Sequence, residues 1–282
     1  MKRAPERRPG ASICADIPPI ERNDHALLHA QNTLADPRST AATFHRPRHA
    51  IPLKPAAKVA VTGYPGQKTD GESFLSERQT AHDTALLTPA GERNLPHILD
   101  FLKPHLPASG RLLEVATGTG GHGLGIARAH PGLEVLPTDI DAAAVEALRA
   151  WQSAGGPDNL KPAERLDAAE AATWPEGRFD AIVCINMIHI SPWSATVGLM
   201  QMAGERLACP GGLLMLYGPY VEADAETAPS NLAFHESLRA RDPAWGLRAL
   251  EDVVVEARAN GLRLTRRAAL PANNLGLLFR TV

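Results

Sequence analysis

Cysteine is scarce in this 282-residue sequence: only Cys14, Cys184 and Cys209 occur, and no two of them lie close together. Disulfide-rich domains and zinc sites usually place cysteines at short spacings, so neither a disulfide framework nor a metal site is predicted. A sparse, odd set of cysteines is typical of proteins from a reducing compartment. We therefore expect a cytoplasmic protein without a structural metal.

Long apolar runs are absent as well. The longest mildly apolar stretch, residues 211–221, is shorter than the ~18 residues that a membrane-spanning helix needs. A secretory signal would need an unbroken apolar run after the basic start of the chain, but Asp16, Pro18 and Pro19 interrupt the only candidate. The sequence therefore predicts no association with a membrane.

Neither sign of charge dominates, because 31 Asp and Glu outnumber 29 Lys and Arg by only two. The distribution is uneven, since residues 1–80 carry a net charge of +4 and residues 81–282 a net charge of −6. An acidic body repels a polyanion, so a nucleic-acid partner is not expected. The basic front leaves one alternative open, in which it recruits RNA or another protein.

Proline is abundant, and nine of the 24 prolines lie in residues 1–75. The Arg, His, Ala and Thr residues between them show neither a helical nor a strand period. Such a segment buries too little apolar surface to offset the entropy cost of ordering it. We expect residues 1–75 to be a disordered Pro- and Arg-rich extension and residues 76–282 to form one domain.

From about residue 90 onwards, short apolar runs alternate with amphipathic segments. The pattern predicts strands at residues 111–116, 133–136, 179–185 and 212–217, and helices at residues 122–129, 142–151 and 193–207. This alternation is typical of a parallel sheet with helices on both faces. Two further strands, at residues 262–270 and 275–280, are separated by only four residues, so we expect them to pair antiparallel.

The strongest local signal is a glycine-rich turn between the first strand and its helix, with the sequence Glu114-Val-Ala-Thr-Gly118-Thr-Gly120-Gly121-His-Gly123. Glycines let the backbone turn tightly and approach a ligand, while the start of the helix offers free N–H groups. Asp139 follows sixteen residues later, at the end of the second strand, where a carboxylate can accept hydrogen bonds from both hydroxyls of a ribose. These features predict an adenosine-containing cofactor; the alternative is a structural turn with Asp139 as a helix N-cap.

Two cofactors fit this turn. The spacing Gly118-x-Gly120-x-x-Gly123 satisfies the fingerprint of dinucleotide-binding proteins, but a stretch so rich in glycine matches many patterns. Glu114, four residues before the first glycine, and the antiparallel strand pair favour S-adenosyl-L-methionine over NAD. An NAD-dependent oxidoreductase is the last alternative.

The sequence from about residue 87 onwards resembles a family of class I methyltransferase-like proteins, long described as a domain of unknown function, whose animal members are called methyltransferase-like 26. The motifs that carry the resemblance are PAGERN at residues 89–94, EVATGTGGH at 114–122, CINMIHISPW at 184–193, LYGPY at 216–220, PSNLAF at 229–234, LRARDPAWG at 238–246 and LPANN at 270–274. The first 75 or so residues have no counterpart in the family. Gly121 stands where the family more often has glutamine.

The resemblance implies an α/β fold of the Rossmann-like class I methyltransferase type. Its sheet has seven mostly parallel strands, an antiparallel C-terminal strand pair and helices on both faces. The resemblance also implies S-adenosyl-L-methionine as the cofactor. The residues implied to bind it are Glu114, Gly118 and Gly120 around the methionine part, Asp139 at the ribose, Asp167 at the adenine amino group, Arg93 and Asn94 at the carboxylate, and Asn186 at the amino group. The alternatives are a surface helix cap for Asp167 and a capped helix start for Arg93 and Asn94.

Three residues are candidates for catalysis. Asn186 and His189 follow the fourth strand, at the carboxyl edge where open α/β sheets bind their ligands, and Tyr217 ends the fifth strand. We expect His189 to act as a general base near neutral pH and Asn186 to accept a hydrogen bond from the substrate nucleophile. The alternative for His189 is a hydrogen-bonded structural histidine.

The substrate pocket is expected to be lined by Trp193, Tyr220, Asn231, Asn273 and Asn274. Three amides near one pocket suggest hydrogen bonds to a small polar molecule, although asparagine is also a frequent turn residue and a tryptophan often packs a helix start. The predicted function is S-adenosylmethionine-dependent methyl transfer to a small polar molecule through an O-, N- or S-nucleophile. The alternatives are an RNA or protein methyltransferase recruited by the basic front, and a non-catalytic S-adenosylmethionine-binding protein.

Overall fold

The computed structural model describes residues 86–282, so the expected N-terminal extension, residues 1–75, lies outside the described part of the chain. The α-helices are α1 (Pro89–Leu102), α2 (Gly121–Ala129), α3 (Ala142–Ser153), α4 (Trp193–Arg206), α5 (Pro229–Arg241) and α6 (Leu250–Ala259). The strands are β1 (Gly110–Val115), β2 (Leu133–Asp139), β3 (Glu164–Arg165), β4 (Ala181–Ile185), β5 (Leu213–Gly218), β6 (Tyr220–Val221), β7 (Arg248–Ala249), β8 (Leu262–Leu270) and β9 (Asn274–Thr281).

Seven of these strands form one sheet in the order β3-β2-β1-β4-β5-β9-β8. The first five strands in this order are parallel, whereas β9 runs antiparallel to both of its neighbours. The predicted fold class, with its antiparallel C-terminal pair, is thereby confirmed. A short parallel pairing of β6 with β7, too brief to leave a pattern in the sequence, was not predicted.

The central strands are apolar throughout because both faces of the sheet are covered. Every residue of β4 and β5 is buried. On one face Ile182 and Leu216 pack with α4 and α6, and on the other Val183 and Met215 pack with α1 and α2. Burying one aliphatic side chain of this size contributes about 1.5–3 kcal/mol, so these two layers hold the edge of the sheet on which the site is built.

Local signals set the helix starts next to the site. Thr88 caps α1 by accepting a hydrogen bond from the Gly91 N–H at 3.0 Å, and Pro89 occupies the first turn. Asp141 caps α3 by accepting from the Ala143 N–H at 2.9 Å. Each cap satisfies an N–H that the helix itself leaves unpaired.

Cys184 lies in β4 as a buried free thiol. Among the helices of residues 86–282, none has the length and apolar character that crossing a membrane requires.

The strand order reverses direction between β1 and β4. From β1 the chain adds β2 and β3 on one side, and from β4 it adds β5 on the other. The connections therefore diverge at this point and leave a crevice at the carboxyl ends of β1 and β4. The candidate site lies at this crevice.

Candidate functional site

A cleft of about 230 Å³ lies at the carboxyl ends of β1, β2 and β4. Its lining includes Gly118 after β1, Asp139 at the end of β2, Asp167 after β3 and Met187 after β4. The structure thus brings three predicted cofactor-binding residues, Gly118, Asp139 and Asp167, to one cleft.

The glycine-rich turn opens towards this cleft at Gly118. Gly118 has a φ of +57°, and a Cβ atom there would meet no atom within 4 Å, so a ligand can approach its backbone. Gly120 has a different role, because a Cβ atom there would lie 2.6 Å from Cδ1 of Leu148 in α3. The missing side chain at Gly120 therefore permits helix packing.

Ala116 begins the turn in a left-handed conformation, with a φ of +60°. This conformation costs a non-glycine residue about 1 kcal/mol or more, and such strain is often held at a binding site. Ala116 lines the cleft. Ala116 was not predicted from the sequence, because alanine alone gives no signal for positive φ.

Leu86 and Leu87 cover the turn from the side of α1. The Thr119 hydroxyl donates to the Leu86 carbonyl oxygen at 2.5 Å, and a Cβ atom on Gly121 would lie 2.5 Å from Cδ2 of Leu87. A glutamine at position 121 would collide with this arrangement. The absence of a side chain at Gly121 is thus matched to the leucines that lie over it.

Glu114 lies beneath the turn and is 2% exposed. Oε2 accepts a hydrogen bond from the Thr117 hydroxyl at 2.5 Å, and the carboxyl group also accepts from the Gly123 N–H at the start of α2. Burial raises the pKa of Glu114 to about 7, and the negative charge of Asp139 adds to this, while the two hydrogen bonds oppose it. The group therefore changes its charge near neutral pH.

The carboxylates of Asp139 and Asp167 each hold a backbone turn and still face the cleft. The Asp139 oxygens accept from the N–H groups of Gly118 at 2.8 Å and Asp141 at 2.9 Å. Asp167 accepts from the Ala169 N–H at 2.9 Å through one oxygen. Because a carboxylate has about four acceptor positions, both groups keep capacity for ligand donors.

Two isoleucines that were not predicted from the sequence supply apolar walls. Ile140, directly after Asp139, is 54% exposed, and Ile190, after β4, is 41% exposed. Both line the cleft. Large exposed apolar side chains that flank a polar cleft are suited to cover a flat, partly apolar ligand.

Arg93 and Asn94 lie outside this cleft. They are in the first turns of α1, where Arg93 is exposed and Asn94 is half-buried. Neither lines the cleft. Their predicted contact with the carboxylate of the donor stays a prediction.

Asn186 and His189 follow β4 but differ in their surroundings. Asn186 adopts a φ of +62° and starts a short 3₁₀ turn, Met187–His189. His189 is fully buried, and neither ring nitrogen has a hydrogen-bond partner among the described residues. Burial, with a smaller effect of the Arg248 charge, lowers the pKa of His189 to about 3. The imidazole is therefore neutral and sealed from solvent, an environment unlike that of a base titrating near pH 7.

Tyr220 and Gly218 lie against this imidazole, whereas Tyr217 packs in the core on the α1 and α2 side of the sheet. The Tyr220 ring lies edge-on to the His189 ring at 5.0 Å, and a Cβ atom on Gly218 would lie 2.5 Å from Nε2 of His189. Burial raises the pKa of Tyr217 to about 12 and that of Tyr220 well above its usual range. Both phenols are therefore neutral at ordinary pH.

A second cleft, of about 220 Å³, lies beyond the end of β5, beside the turn between β8 and β9. Four of the five predicted substrate residues line it: Tyr220, Asn231, Asn273 and Asn274. The Asn231 amide donates to the Asn273 carbonyl oxygen at 2.9 Å, and the Asn273 amide donates to the Ser230 hydroxyl at 3.0 Å. The asparagines thus shape the wall of the cleft, as turn residues do.

Trp193 lies apart from this second cleft. It is the first residue of α4, is half-buried against the core and lies 5.7 Å from the Arg248 guanidinium. The packing role that the sequence left open is therefore what the structure describes. Arg248 was missed, because its contacts lie 57 and 60 residues away in the chain.

No group of three or more His, Cys, Asp or Glu that could hold a metal ion occurs within residues 86–282. The strand order, the glycine-rich turn and the carboxylate at the end of β2 together define a class I methyltransferase fold.

Comparison with solved structures supports this class. An O-methyltransferase family protein from Burkholderia thailandensis is 17% identical over 74% of this chain and 62% of its own, with a TM-score of 0.56. An O-methyltransferase family 2 protein from Planctomyces limnophilus, in complex with apigenin, is 20% identical over 73% of this chain and 62% of its own, with a TM-score of 0.57. PigF with S-adenosylhomocysteine is 15% identical over 68% of this chain and 56% of its own, with a TM-score of 0.58. The chain thus spans about three fifths of the length of these structures, and at such identities the likeness concerns the fold.

Residues 86–281 match the family described as "Protein of unknown function (DUF938)". The match covers most of the chain and nearly all of its described part, so the protein belongs to this family.

Proposed function

We propose that this protein is an S-adenosyl-L-methionine-dependent methyltransferase that acts on a small polar molecule. The observation that carries the proposal is the cleft at the crevice between β1 and β4, where Asp139 and Asp167 present acceptor groups between the apolar walls of Ile140 and Ile190. This combination of carboxylates and apolar side chains fits an adenosine. Within the same fold, PigF has been solved with S-adenosylhomocysteine.

Different residues of the cleft would bind different parts of the donor. Asp139 would accept hydrogen bonds from the ribose hydroxyls and Asp167 from the adenine amino group, while Ile140 and Ile190 would cover the adenine faces. The open backbone at Gly118 would admit the methionine part, with Glu114 beneath it. When bound, the donor supplies an electrophilic methyl group on a sulfonium.

The second cleft would hold the methyl acceptor. Its lining includes Glu222, Glu226 and Arg267, whose charged groups can bind a polar molecule, and its volume of about 220 Å³ suits a small one. Asn186 directly follows β4 and Tyr217 lies in the last two residues of β5, at the same carboxyl edge of the sheet, and they would align the acceptor. The relative from Planctomyces limnophilus carries apigenin, which is consistent with a small-molecule acceptor in this fold.

Catalysis would rest on alignment and on exclusion of water. Holding two reactants in line can lower a barrier by about 7–11 kcal/mol in the best cases. A general base is not required for an acceptor that is already deprotonated. His189 is not part of this proposal, because its buried imidazole has a pKa of about 3. We further propose kinship with the animal methyltransferase-like 26 proteins, which rests on the shared motifs.

Isothermal titration calorimetry of the full chain with S-adenosylhomocysteine and, separately, with NADH tests the donor assignment. We expect binding of the first ligand and none of the second. Asp139→Asn should weaken S-adenosylhomocysteine by about tenfold or more, because hydrogen bonds to a charged acceptor contribute about 1.5–3 kcal/mol each. Asp180→Asn is the matched control, because Asp180 accepts from the Arg111 N–H at 2.8 Å near the opposite edge of the sheet. Binding of NADH alone, or equal affinity in both variants, would overturn the assignment.

The acceptor can be sought by incubating the protein with methyl-labelled donor and a metabolite extract. Label in a small polar compound is the expected outcome. Label found only in protein or RNA would contradict the proposed acceptor class. Donor binding without any transfer would favour a non-catalytic binding protein.

A further inference from the structure

The Arg248 guanidinium donates three hydrogen bonds to backbone carbonyl groups. Nε donates to Ile188 O at 2.9 Å, and Nη2 donates to Ser191 O at 2.6 Å and to Ala244 O at 3.0 Å. The side chain is half-buried and lies over the Trp193 ring at 5.7 Å. A planar fork of donors with one ring against it is a fixed arrangement that a flexible cation does not reproduce.

Two of these carbonyls belong to the segment that walls the donor cleft. Met187, Ile190 and Ser191 line that cleft, and they follow a residue with positive φ, Asn186. The segment belongs to no strand of the sheet. Its internal contacts are the short 3₁₀ turn and a hydrogen bond that the Ser191 hydroxyl donates to Met187 O at 2.8 Å. Packing of Met187 and Ile188 in the core and the hydrogen bonds from Arg248 together attach it to the rest of the molecule.

The backbone of Arg248 pairs with a strand whose residue Tyr220 lines the second cleft. Arg248 pairs with Tyr220 where β7 runs beside β6, and Tyr220 lines the second cleft. Two residues before Arg248, the Gly246 N–H donates to His189 O at 2.9 Å. One short stretch, residues 244–249, therefore contacts the segment after β4 and the segment after β5.

We propose that Arg248 is a positioning residue. It holds the segment after β4 against the donor and fixes the position of that wall relative to the wall of the second cleft. The proposal rests on the proposed function, since it presumes that the first cleft binds the donor. It assigns a role to a residue that contacts neither cleft's ligand itself: the guanidinium acts through the carbonyls of Ile188 and Ser191.

Arg248→Ala and Arg248→Lys test the proposal in the full chain, with Arg280→Ala as the matched control. Arg280 also donates two hydrogen bonds to backbone carbonyls, to Gly211 O at 2.6 Å and His105 O at 3.0 Å, but it does so at the amino edge of the sheet. The two measurements are S-adenosylhomocysteine affinity by calorimetry and hydrogen exchange, followed by mass spectrometry, of peptides that contain residues 187–191.

Arg248→Ala should lower the affinity for S-adenosylhomocysteine by about tenfold, the effect of losing one to two charged hydrogen bonds that order the site. Its peptides at residues 187–191 should exchange faster than in the wild type. Arg248→Lys should recover part of both effects, because an ammonium group can still reach one carbonyl. Arg280→Ala should lower the thermal midpoint without changing either readout.

The outcomes separate this inference from the proposed function. If the wild type binds no S-adenosylhomocysteine, the proposed function fails and the inference fails with it. If the wild type binds and Arg248→Ala binds equally well, with unchanged exchange at residues 187–191, only the inference is overturned. A loss of affinity that Arg280→Ala shares would also overturn it, because general destabilisation would then explain the effect. Should Arg248→Ala not fold, the comparison of Arg248→Lys with the wild type decides in the same way.

Discussion

Replacing Glu114 by glutamine should remove a pH dependence of stability that this one buried carboxyl group creates. The pKa of Glu114 is raised from 4.5 to about 7 in the folded protein, mainly by burial. The folded protein therefore keeps a proton that the unfolded chain releases between these two pH values. The stability that this proton contributes is present below about pH 4.5 and is lost as the pH rises through 7.

The size of the effect follows from the shift. One pKa unit corresponds to about 1.4 kcal/mol, so the full span is about 3 kcal/mol, of which about 2 to 3 kcal/mol falls between pH 5 and pH 8. Glutamine at position 114 does not titrate. From pH 5 to pH 8 the wild type should therefore lose about 2 to 3 kcal/mol more free energy of unfolding than Glu114→Gln does.

Urea unfolding at pH 5, 6, 7 and 8, followed by circular dichroism, measures this difference. Comparing the two proteins at each pH cancels the titration of all other groups, as well as any constant cost of burying the amide. Thr117→Val gives a second check: it removes the hydroxyl that donates to Glu114 and favours the charged form, so the pH dependence should extend to higher pH. A difference between Glu114→Gln and the wild type that stays constant from pH 5 to 8 would refute the reasoning.

Three further predictions concern other parts of the chain. The pKa of His189 is lowered from 6.5 to about 3, so the stability that the neutral imidazole contributes is lost as the pH falls below about 6.5. Urea unfolding should therefore show that the wild type loses about 2 kcal/mol more stability than His189→Leu between pH 7 and pH 5. Gly218→Ala should lower the free energy of unfolding by about 2–4 kcal/mol, because the added Cβ atom overpacks against His189 and the φ of +154° strains an alanine. Gly155→Ala is the control: its φ is +140° and no atom lies within 4 Å of the added Cβ atom, so it should show the cost of backbone strain alone. Deleting residues 1–75 should leave the calorimetric affinity for S-adenosylhomocysteine unchanged, because the candidate donor cleft is built from residues 115–195.

Each of these has a clear contrary result. Equal acid sensitivity of His189→Leu and the wild type would show that the buried imidazole is not the group responsible. Equal costs for Gly218→Ala and Gly155→Ala would show that the contact with His189 is not tight. A loss of donor affinity on deletion would show that the basic front takes part in binding.

The strands and helices of the sheet were predictable because their physical causes are local. Residues 181–185 are buried on both faces and therefore form an unbroken apolar run, which is visible in the sequence. The linker between β8 and β9 is too short for any connection other than an antiparallel one. The glycine-rich turn and Asp139 were likewise readable, because a tight turn and a strand-end carboxylate each leave a residue type at a characteristic place.

The remaining features of the site depend on contacts between distant parts of the chain. A histidine in an apolar run gives the same pattern whether it is sealed or exposed, so the burial of His189 could not be predicted. Arg248 finds its carbonyl partners 57 and 60 residues earlier, and no local period encodes such a contact. The three asparagines line one cleft, but their amides are largely occupied by the turn between β8 and β9 and its contact with α5, which the sequence does not show.

The position of β9 constrains the order in which the sheet can be completed. β9 follows β8 in the chain, yet it lies between β5 and β8, where it pairs with residues up to 67 positions earlier, as in Leu213 with Arg280. Until it is in place, β5 and β8 each expose a row of unpaired backbone groups, and open edges of this kind are prone to pair with other chains. Such long-range pairing forms late in folding. Dilution and chaperone access during folding should therefore influence the yield of this protein.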